Sequence, residues 1–403
     1  MRILIADAME ESRLDRLRNA GHEVVIEPSL SSDQLAARVP GFDVLVVRST
    51  KVNAEALSAG DCLGLVVRAG AGVDNIDMTT ASALGIHVSN VPGVNALAVA
   101  ELAMGLLLAV DRRIADGTAD LRAGTWNKTE YRKADGLATK TVGIVGVGSI
   151  GLAFAERAKA FGMQAVAVRR DGRSAEIEQR IRSVGIRLVD DLDALLSVSD
   201  VVSIHVPKAP DTTGLVKAEF LAKMKPDAIL LNTARGETMV ADDVIMALDN
   251  GLRAGLDVFP DEPSSGTADF DSVLARHPNV VGTHHIGAST TQAQVAVVEA
   301  TIDLISAYGT GEVRNCVNLD TSTEGKTTIT IRHEDKVGVL AQVFAVLRSH
   351  GLNVQQMRNE VFSGRKAAVA VISTDGSLGE AEVAELRAID EVFGVQVTEG
   401  HRS

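Results

Sequence analysis

Three side chains in the second half of the chain, Arg235, Glu262 and His285, lie just beyond runs of apolar residues. Arg235 follows AILLNTA, Glu262 sits in the loop after AGLDVF, and His285 comes after NVVGT and His284. Short apolar runs of this kind read as buried strands of a parallel sheet, whose ligands gather at the carboxyl edge. Singly, each residue has an ordinary reading: a surface ion pair, a solvated loop carboxylate, a satisfied core histidine. Convergence on one edge favours chemistry. Histidine ionises near neutral pH and can take a hydroxyl proton. A carboxylate on the far imidazole nitrogen fixes the tautomer and stabilises the imidazolium. A guanidinium holds a substrate carboxylate with two parallel hydrogen bonds. The three together suit proton removal from a 2-hydroxy acid while hydride leaves for a nicotinamide. Positioning of this kind can supply about 7–11 kcal/mol of barrier lowering.

A place for a dinucleotide lies at residues 141–151, TVGIVGVGSIG. The apolar run at 142–145 leads into Gly146-x-Gly148-x-x-Gly151, and a helical pattern follows over 152–161. The first glycine permits the tight turn, the second lets backbone approach a pyrophosphate, and the third lets helix pack on strand. The helix N-terminus then offers unpaired N–H groups and a positive dipole end to the phosphates, with Ser149 and Ile150 of the motif counted among the cofactor-binding residues.

The elements that must hold these residues alternate strand with helix. RILIAD, HEVVIE, DVLVVR, GLVVRAG and IHVSN predict a first α/β lobe over residues 1–95. Its binding edge carries Arg48, Ser49 and residues 68–72. Residues 96–110 are apolar nearly all round, which predicts a helix buried on several sides. That helix serves as a hinge, a subunit interface or internal core. A charged arm with the sole tryptophan spans 111–137. The rhythm restarts at Lys140 with TVGIVG, QAVAVR, IRLVD, DVVSIHVP, AILLNTARG, AGLDVF and NVVGTHH, predicting a second doubly wound sheet, so that residues 96–285 form a Rossmann domain. A helix over 291–308 is long enough to cross back, giving 286–318 to the first, flavodoxin-like lobe. Residues 321–325 (TSTEG) read as a linker. Residues 327–403 follow the order strand–helix–strand–strand–helix–strand, a ferredoxin-like βαββαβ. The fold class is therefore α/β, with two parallel-sheet lobes and a small third domain.

Composition removes several functions. A formal net charge of −13 argues against non-specific nucleic-acid binding, and 3% aromatic content leaves no stacking platform. Cys62 and Cys316 are isolated, which speaks against disulfides and a metal knuckle. No apolar run has the length of a membrane span and no signal sequence is apparent, so a cytoplasmic location is expected.

RAGAGVDNID (68–77), NVPGVNALAVAEL (90–102), VGVGSIG (145–151), NTARG (232–236), GLDVFPDEP (255–263) and HIGAST (285–290) resemble the D-isomer-specific 2-hydroxyacid dehydrogenase family, most closely its members that oxidise 3-phospho-D-glycerate. The tail resembles the ACT regulatory domains. The resemblance implies conversion of 3-phospho-D-glycerate to 3-phosphohydroxypyruvate, which opens serine synthesis. It makes His285 the acid/base, Glu262 its orienting partner and Arg235 the carboxylate clamp. Asp257 would face the nicotinamide, with His205, Val206, Pro207, Thr233, Ala234 and Gly287 completing the cofactor pocket. Backbone N–H groups of Ala71, Gly72 and Val73 would bind the carboxylate; Arg48, Ser49 and Lys128 would hold the phosphate. By the same likeness His333, Asp335 and Asn353 would bind a serine effector, although Lys336-Val337 stands where arginine-proline is usual. A dimerisation module without ligand is the alternative. A homodimer or homotetramer is expected, with the arm acting across it. His284 departs from the family's proline beside the catalytic histidine.

A second departure concerns the cofactor. An NAD-binding turn is followed by a carboxylate about 20 residues on, which accepts from the ribose 2′-OH. Here the strand QAVAV ends in Arg169 and Arg170, with Asp171 two positions late and Arg173 nearby. Arginine pairs with a 2′-phosphate instead, so NADP is favoured and NAD is the alternative. Two other functions share the resemblance: an NADP-linked hydroxypyruvate or glyoxylate reductase, and a nucleotide-sensing corepressor-like protein. The intact Arg–Glu–His set argues against the last, since a sensor has no need of it.

Overall fold

A computed structural model describes residues 1–28, 30–263, 267–320 and 326–399; the linker expected at 321–325 lies outside them. The chain divides into two units, Met1–Asn318 and Leu319–Ser403.

The first unit holds two parallel sheets. One contains β1 (Arg2–Ile5), β2 (Glu23–Ile26), β3 (Val44–Val47), β4 (Leu65–Arg68) and β5 (His87–Asn90), in the order β2-β1-β3-β4-β5. The other contains β6 (Thr141–Val145), β7 (Gln164–Val168), β8 (Arg187–Val189), β9 (Val201–Ile204), β10 (Ile229–Asn232), β11 (Arg253–Leu256) and β12 (Val280–Gly282), in the order β12-β11-β10-β9-β6-β7-β8. These are the runs read as strands in the sequence. Inner strands β3, β9 and β10 are buried throughout, as runs rich in Val, Leu and Ile require between two helical layers, with Ser203 and Asn232 the buried polar exceptions. The strand order reverses between β6 and β9, which makes the carboxyl ends of those strands a crevice.

Two helices join the sheets. Ala96–Arg112 packs on helix Ser149–Ala160 and on β10 and β11, with Leu106, Leu107 and Val110 in the core. Thr291–Gly309, capped by Thr290, returns to the first sheet, where Val298, Ile302 and Ile305 meet Ile3, Val44 and Val67. Helix Ser149–Ala160 starts three residues before the apolar pattern suggested. Extended Gly148 is its N-cap, so the helix begins inside the glycine motif and Gly151 falls where helix meets strand.

The second unit is antiparallel: β13 (Thr327–Glu334), β14 (Val354–Val361), β15 (Ala367–Thr374) and β16 (Val392–Glu399), ordered β14-β15-β13-β16. Helices Val339–Ser349 and Glu380–Arg387 cover one face, and Ile329, Ile331, Val343, Leu347, Ile372 and Leu386 form the core. The βαββαβ order and the strand order are those of a ferredoxin-like fold.

Candidate active site

Residues that close neighbouring strands come together in the first unit. His285 lies beyond β12, and its Nδ1 is 2.6 Å from Glu262 Oε1. A carboxylate only accepts, so Nδ1–H donates to it and Nε2 is left free. This bond raises the imidazole pKa above the ordinary histidine value; partial burial and the Arg235 charge oppose the rise, and the Asp257 charge adds to it.

The backbone at His285 is left-handed, with φ of 53°, which a residue with a side chain adopts only when its surroundings impose it. Asp257, 1% exposed beyond β11, supplies the constraint. Its Oδ1 accepts from Thr283 Oγ1 at 2.6 Å and Ile286 N at 2.9 Å, and its Oδ2 from Gly287 N at 2.9 Å. Its carbonyl accepts from His285 N at 2.8 Å. The carboxylate thus grips the loop that carries the histidine, and the Gly287 amide is engaged with it. Asp257→Ala is expected to orphan these donors, costing about 1–3 kcal/mol for a buried group left unpaired. Hydrogen exchange should report it as lost protection at Ile286 and Gly287, with a lower unfolding temperature.

Arg235 follows β10. Its Nε donates to Asp74 Oδ2 at 3.1 Å and its Nη1 to the Ala234 carbonyl at 2.8 Å, which holds the fork flat. The Nη2 end lies so close to Gly72 that any Cβ there would displace it. The loop of residues 70–73 is pinned in turn, because Asn90 Nδ2 donates to the Ala71 carbonyl at 2.6 Å and Val91 N to the Gly70 carbonyl at 2.9 Å.

A cavity of about 1210 Å³ adjoins these groups, lined by Arg48, Ser49, Arg68, Asn95, Glu262, His284 and His285 among others. Arg68, on the binding edge expected from the sequence, is part of the site through its burial. Its guanidinium lies against Gly70, and its Nε is buried without a hydrogen-bond partner. Burial, then the charges of Arg235 and Arg48, lower its pKa to about 10, so it stays charged at neutral pH. Asp7 holds the neighbouring loop, accepting from Arg48 N at 2.6 Å and Thr50 N at 3.1 Å. Asn95 Oδ1 is a further buried acceptor with no partner. Three clustered guanidiniums, set against the carboxylates of Asp74 and Asp7, make this an anion site.

Lys128 is apart from the cluster. It opens the short helix Lys128–Tyr131, is exposed, and lines a smaller hollow with Arg113, Trp126 and Tyr131. His333, at the end of β13, is 3% exposed. Its Nδ1 lies 2.7 Å from the Glu334 carbonyl and its Nε2 3.1 Å from Asn359 Oδ1. Asp335 is half-buried and Asn353 exposed, and Asn353 N donates to Asp375 Oδ1 at 2.9 Å.

The glycine turn has the shape of a phosphate cradle. A Cβ on Gly146, whose φ is 103°, would meet the His205 backbone, and one on Gly151 would meet the Gly146 carbonyl. Nothing lies within 4 Å of a Cβ on Gly148, whose backbone is open to a ligand. Thr233 Oγ1, beyond β10, is buried with no partner and awaits a donor or acceptor from the crevice. Val206 is half-buried and Pro207 exposed beyond β9. The His205 ring turns away: it is 2.8 Å from Ser203 Oγ, lies tilted against Phe154, and burial drives its pKa down to about 3. It is therefore neutral, and its backbone is what meets the turn. Arg169 and Arg170, beyond β7, are exposed. These residues fit a dinucleotide.

Among the described residues no helix is long and apolar enough to cross a membrane, and no cluster of His, Cys, Asp or Glu is arranged to hold a metal ion.

Residues 104–287 match the family model described as D-isomer specific 2-hydroxyacid dehydrogenase, NAD binding domain. A D-3-phosphoglycerate dehydrogenase of Methanocaldococcus jannaschii is 38% identical over 79% of this chain, and the match spans 60% of that protein's length. A hydroxypyruvate reductase of Thermotoga maritima is 42% identical, covering 73% of this chain and 93% of the reductase. The crystal structure of the TT0316 protein from Thermus thermophilus superposes with a TM-score of 0.70 at 35% identity, covering 79% of this chain and all of that one.

Proposed function

The chain belongs to the D-isomer specific 2-hydroxyacid dehydrogenases, and we propose on that premise that it oxidises 3-phospho-D-glycerate to 3-phosphohydroxypyruvate. The observation that carries this reading is the His285–Glu262 pair beside the Arg48, Arg68 and Arg235 cluster. A nicotinamide dinucleotide, held at Gly146, Gly148, Ser149, Ile150 and Gly151 with Thr233 and Ala234, supplies the hydride acceptor when bound. Arg235 and the backbone of residues 71–73 bind the substrate carboxylate and fix the face presented. Arg48, Ser49 and Arg68 bind the phosphate end. Nε2 of His285 takes the hydroxyl proton, and Glu262 stabilises the resulting imidazolium. In the reverse direction the imidazolium returns that proton to the carbonyl oxygen.

Reduction of hydroxypyruvate is the second reading, supported by the Thermotoga relative, of which the chain covers nearly all. Unpaired cations beside the histidine favour the phosphorylated substrate, because an uncharged hydroxymethyl group would leave Arg48 and Arg68 without a partner. Initial rates with 3-phosphoglycerate and hydroxypyruvate, read by nicotinamide absorbance with both dinucleotides, test the choice. A kcat/KM higher for hydroxypyruvate than for the phosphorylated pair would reject the leading reading. NADP is proposed over NAD because two exposed arginines end β7; a higher kcat/KM with NAD⁺ would reverse that.

Oxidation requires neutral His285, so the rate should climb as pH rises through its raised pKa. Removing the Glu262 hydrogen bond lowers that pKa towards the ordinary histidine value. Glu262→Gln is therefore expected to move the rising limb of kcat/KM for oxidation to lower pH and to reduce its plateau. An unmoved limb would mean that Glu262 does not set the base.

The βαββαβ unit is read as an ACT-type regulatory domain. With the His333 ring engaged inside it, a serine effector would meet Asp335 and Asn353 first. A serine titration that changes neither activity nor melting temperature would remove that role. Exposed Ile114, Leu121 and Trp126 on the arm support a homodimer, in which Lys128 would serve the neighbouring site.

A further inference from the structure

We propose that Asp74 is a positioning residue that sets the span between the two ends of the site, and so selects a substrate with an anion at each end; the role rests on the phosphorylated-substrate reading. Arg235 follows β10 of the seven-stranded sheet, whereas Asp74 lies beyond β4 of the five-stranded sheet. Their bond, Arg235 Nε to Asp74 Oδ2 at 3.1 Å, therefore ties the carboxyl edges of the two sheets together. Gly72 makes room for it: a Cβ there would press on Arg235 Nη2 and come within 3.2 Å of Asp74 Oδ2. A second cation of the seven-stranded sheet, Lys208 beyond β9, donates from Nζ to Glu237 Oε1 at 2.6 Å and also feels the Asp74 charge.

The turn that carries Asp74 is stitched to the loop that carries Arg48 and Ser49. Asn75 Nδ2 donates to the Thr50 carbonyl at 2.8 Å, Val52 N to the Asn75 carbonyl at 2.8 Å, and Asp77 N to the Val52 carbonyl at 2.9 Å. Asp7 fastens the other side of that loop through Arg48 N and Thr50 N. A path of bonds thus runs from Arg235, at the carboxylate end, to Arg48, at the phosphate end. Fixing that separation matters only to a ligand that touches both ends, because binding at one end then presents the other at high local concentration. The plane of the Arg235 fork does not depend on Asp74 alone, since Nη1 donates to the Ala234 carbonyl. The pair is part-exposed, 28% for Arg235 and 47% for Asp74, and such pairs add little to fold stability. Position is what it supplies.

The competing role is local, in which Asp74 merely orients Arg235 for any 2-oxo acid. Reduction of 3-phosphohydroxypyruvate and of hydroxypyruvate, in one buffer with one reduced dinucleotide, separates the two in wild type, Asp74→Ala, Asp74→Asn and Asn75→Ala. In Asp74→Ala the ratio of kcat/KM, phosphorylated over unphosphorylated, is expected to fall by about ten- to a hundredfold, the worth of one charge-assisted hydrogen bond, mostly through KM. Asp74→Asn keeps an acceptor for Nε and should recover part of the ratio. Asn75→Ala breaks the stitch but leaves the ion pair, and should lower the ratio in the same direction. In an Arg48→Ala background, Asp74→Ala should leave the ratio where Arg48→Ala alone puts it. Equal losses for the two substrates in Asp74→Ala, or an unchanged ratio, overturn the span role while the phosphorylated-substrate reading stands. Wild type with the higher kcat/KM for hydroxypyruvate removes both.

Discussion

Replacing His285 by alanine is expected to lower kcat by about 10²–10⁴-fold, the usual worth of a positioned general base, while the dinucleotide still binds. The separation follows from geometry. The ring meets Glu262 through Nδ1 and leaves Nε2 for the substrate, whereas the glycine turn is built from β6 and helix Ser149–Ala160. The loop around His285 is held by Asp257 through the backbone amides of residues 285–287, so its path survives loss of the imidazole. Alanine lacks the tolerance histidine has for a φ of 53°, so the path of the loop rests on the Asp257 bonds. His284 opens onto the same cavity and could carry residual proton transfer. The control is therefore His284→Gln, alone and with His285→Ala. Single-turnover rates and dinucleotide titration give the two readouts. Turnover near wild type in His285→Ala, with His284 also replaced, would end the assignment of His285 as base.

Much of the architecture was legible because parallel strands carry their own signature. Runs such as VLVV, VVSI and ILLN have no polar alternation, and only a strand covered on both faces has that composition. Once the strands are known, their carboxyl ends define the edge, and Arg235, Glu262 and His285 fall there by counting. What stayed hidden depends on contacts distant in sequence. Arg68 reads as any residue at a strand end, and the placement of its guanidinium against Gly70, with Nε buried, depends on how the loop folds. Asp7 and Asp74 are ordinary acids until the loops they hold are seen. The resemblance sets Asp257 facing the nicotinamide and says nothing of the two amides and the hydroxyl of the histidine loop that its carboxylate meets. Those donors belong to residues 26–30 positions away, a separation that no periodicity records. Lys128 sits on an arm whose motif is local, so its distance from Arg48 could not be read from spacing. His333 belongs to the alternating inward face of β13, with Thr327, Ile329 and Ile331. That alternation was there to be read, and it points the ring inward.

Arg235→Lys is expected to lower kcat/KM by about 10²–10⁴-fold although the charge is kept. The guanidinium uses Nε on Asp74 and Nη1 on the Ala234 carbonyl, and its Nη2 end rests against Gly72. Those bonds fix the plane in which the remaining donors meet a carboxylate. Lysine has one nitrogen on a flexible stem and must choose between Asp74 and the substrate. Two charge-assisted hydrogen bonds at about 1.5–3 kcal/mol each account for the expected range. A pH profile tells lost geometry from lost charge. The Arg235 charge holds the His285 pKa down against the pull of Glu262. Lysine preserves most of that influence, so the rising limb for oxidation should stay in place as the plateau falls. Arg235→Ala removes the cation, so the His285 pKa should rise and the limb should move to higher pH. A fall smaller than tenfold in Arg235→Lys, or a limb that shifts equally in both variants, would show that Arg235 acts as a point charge and not as a fork.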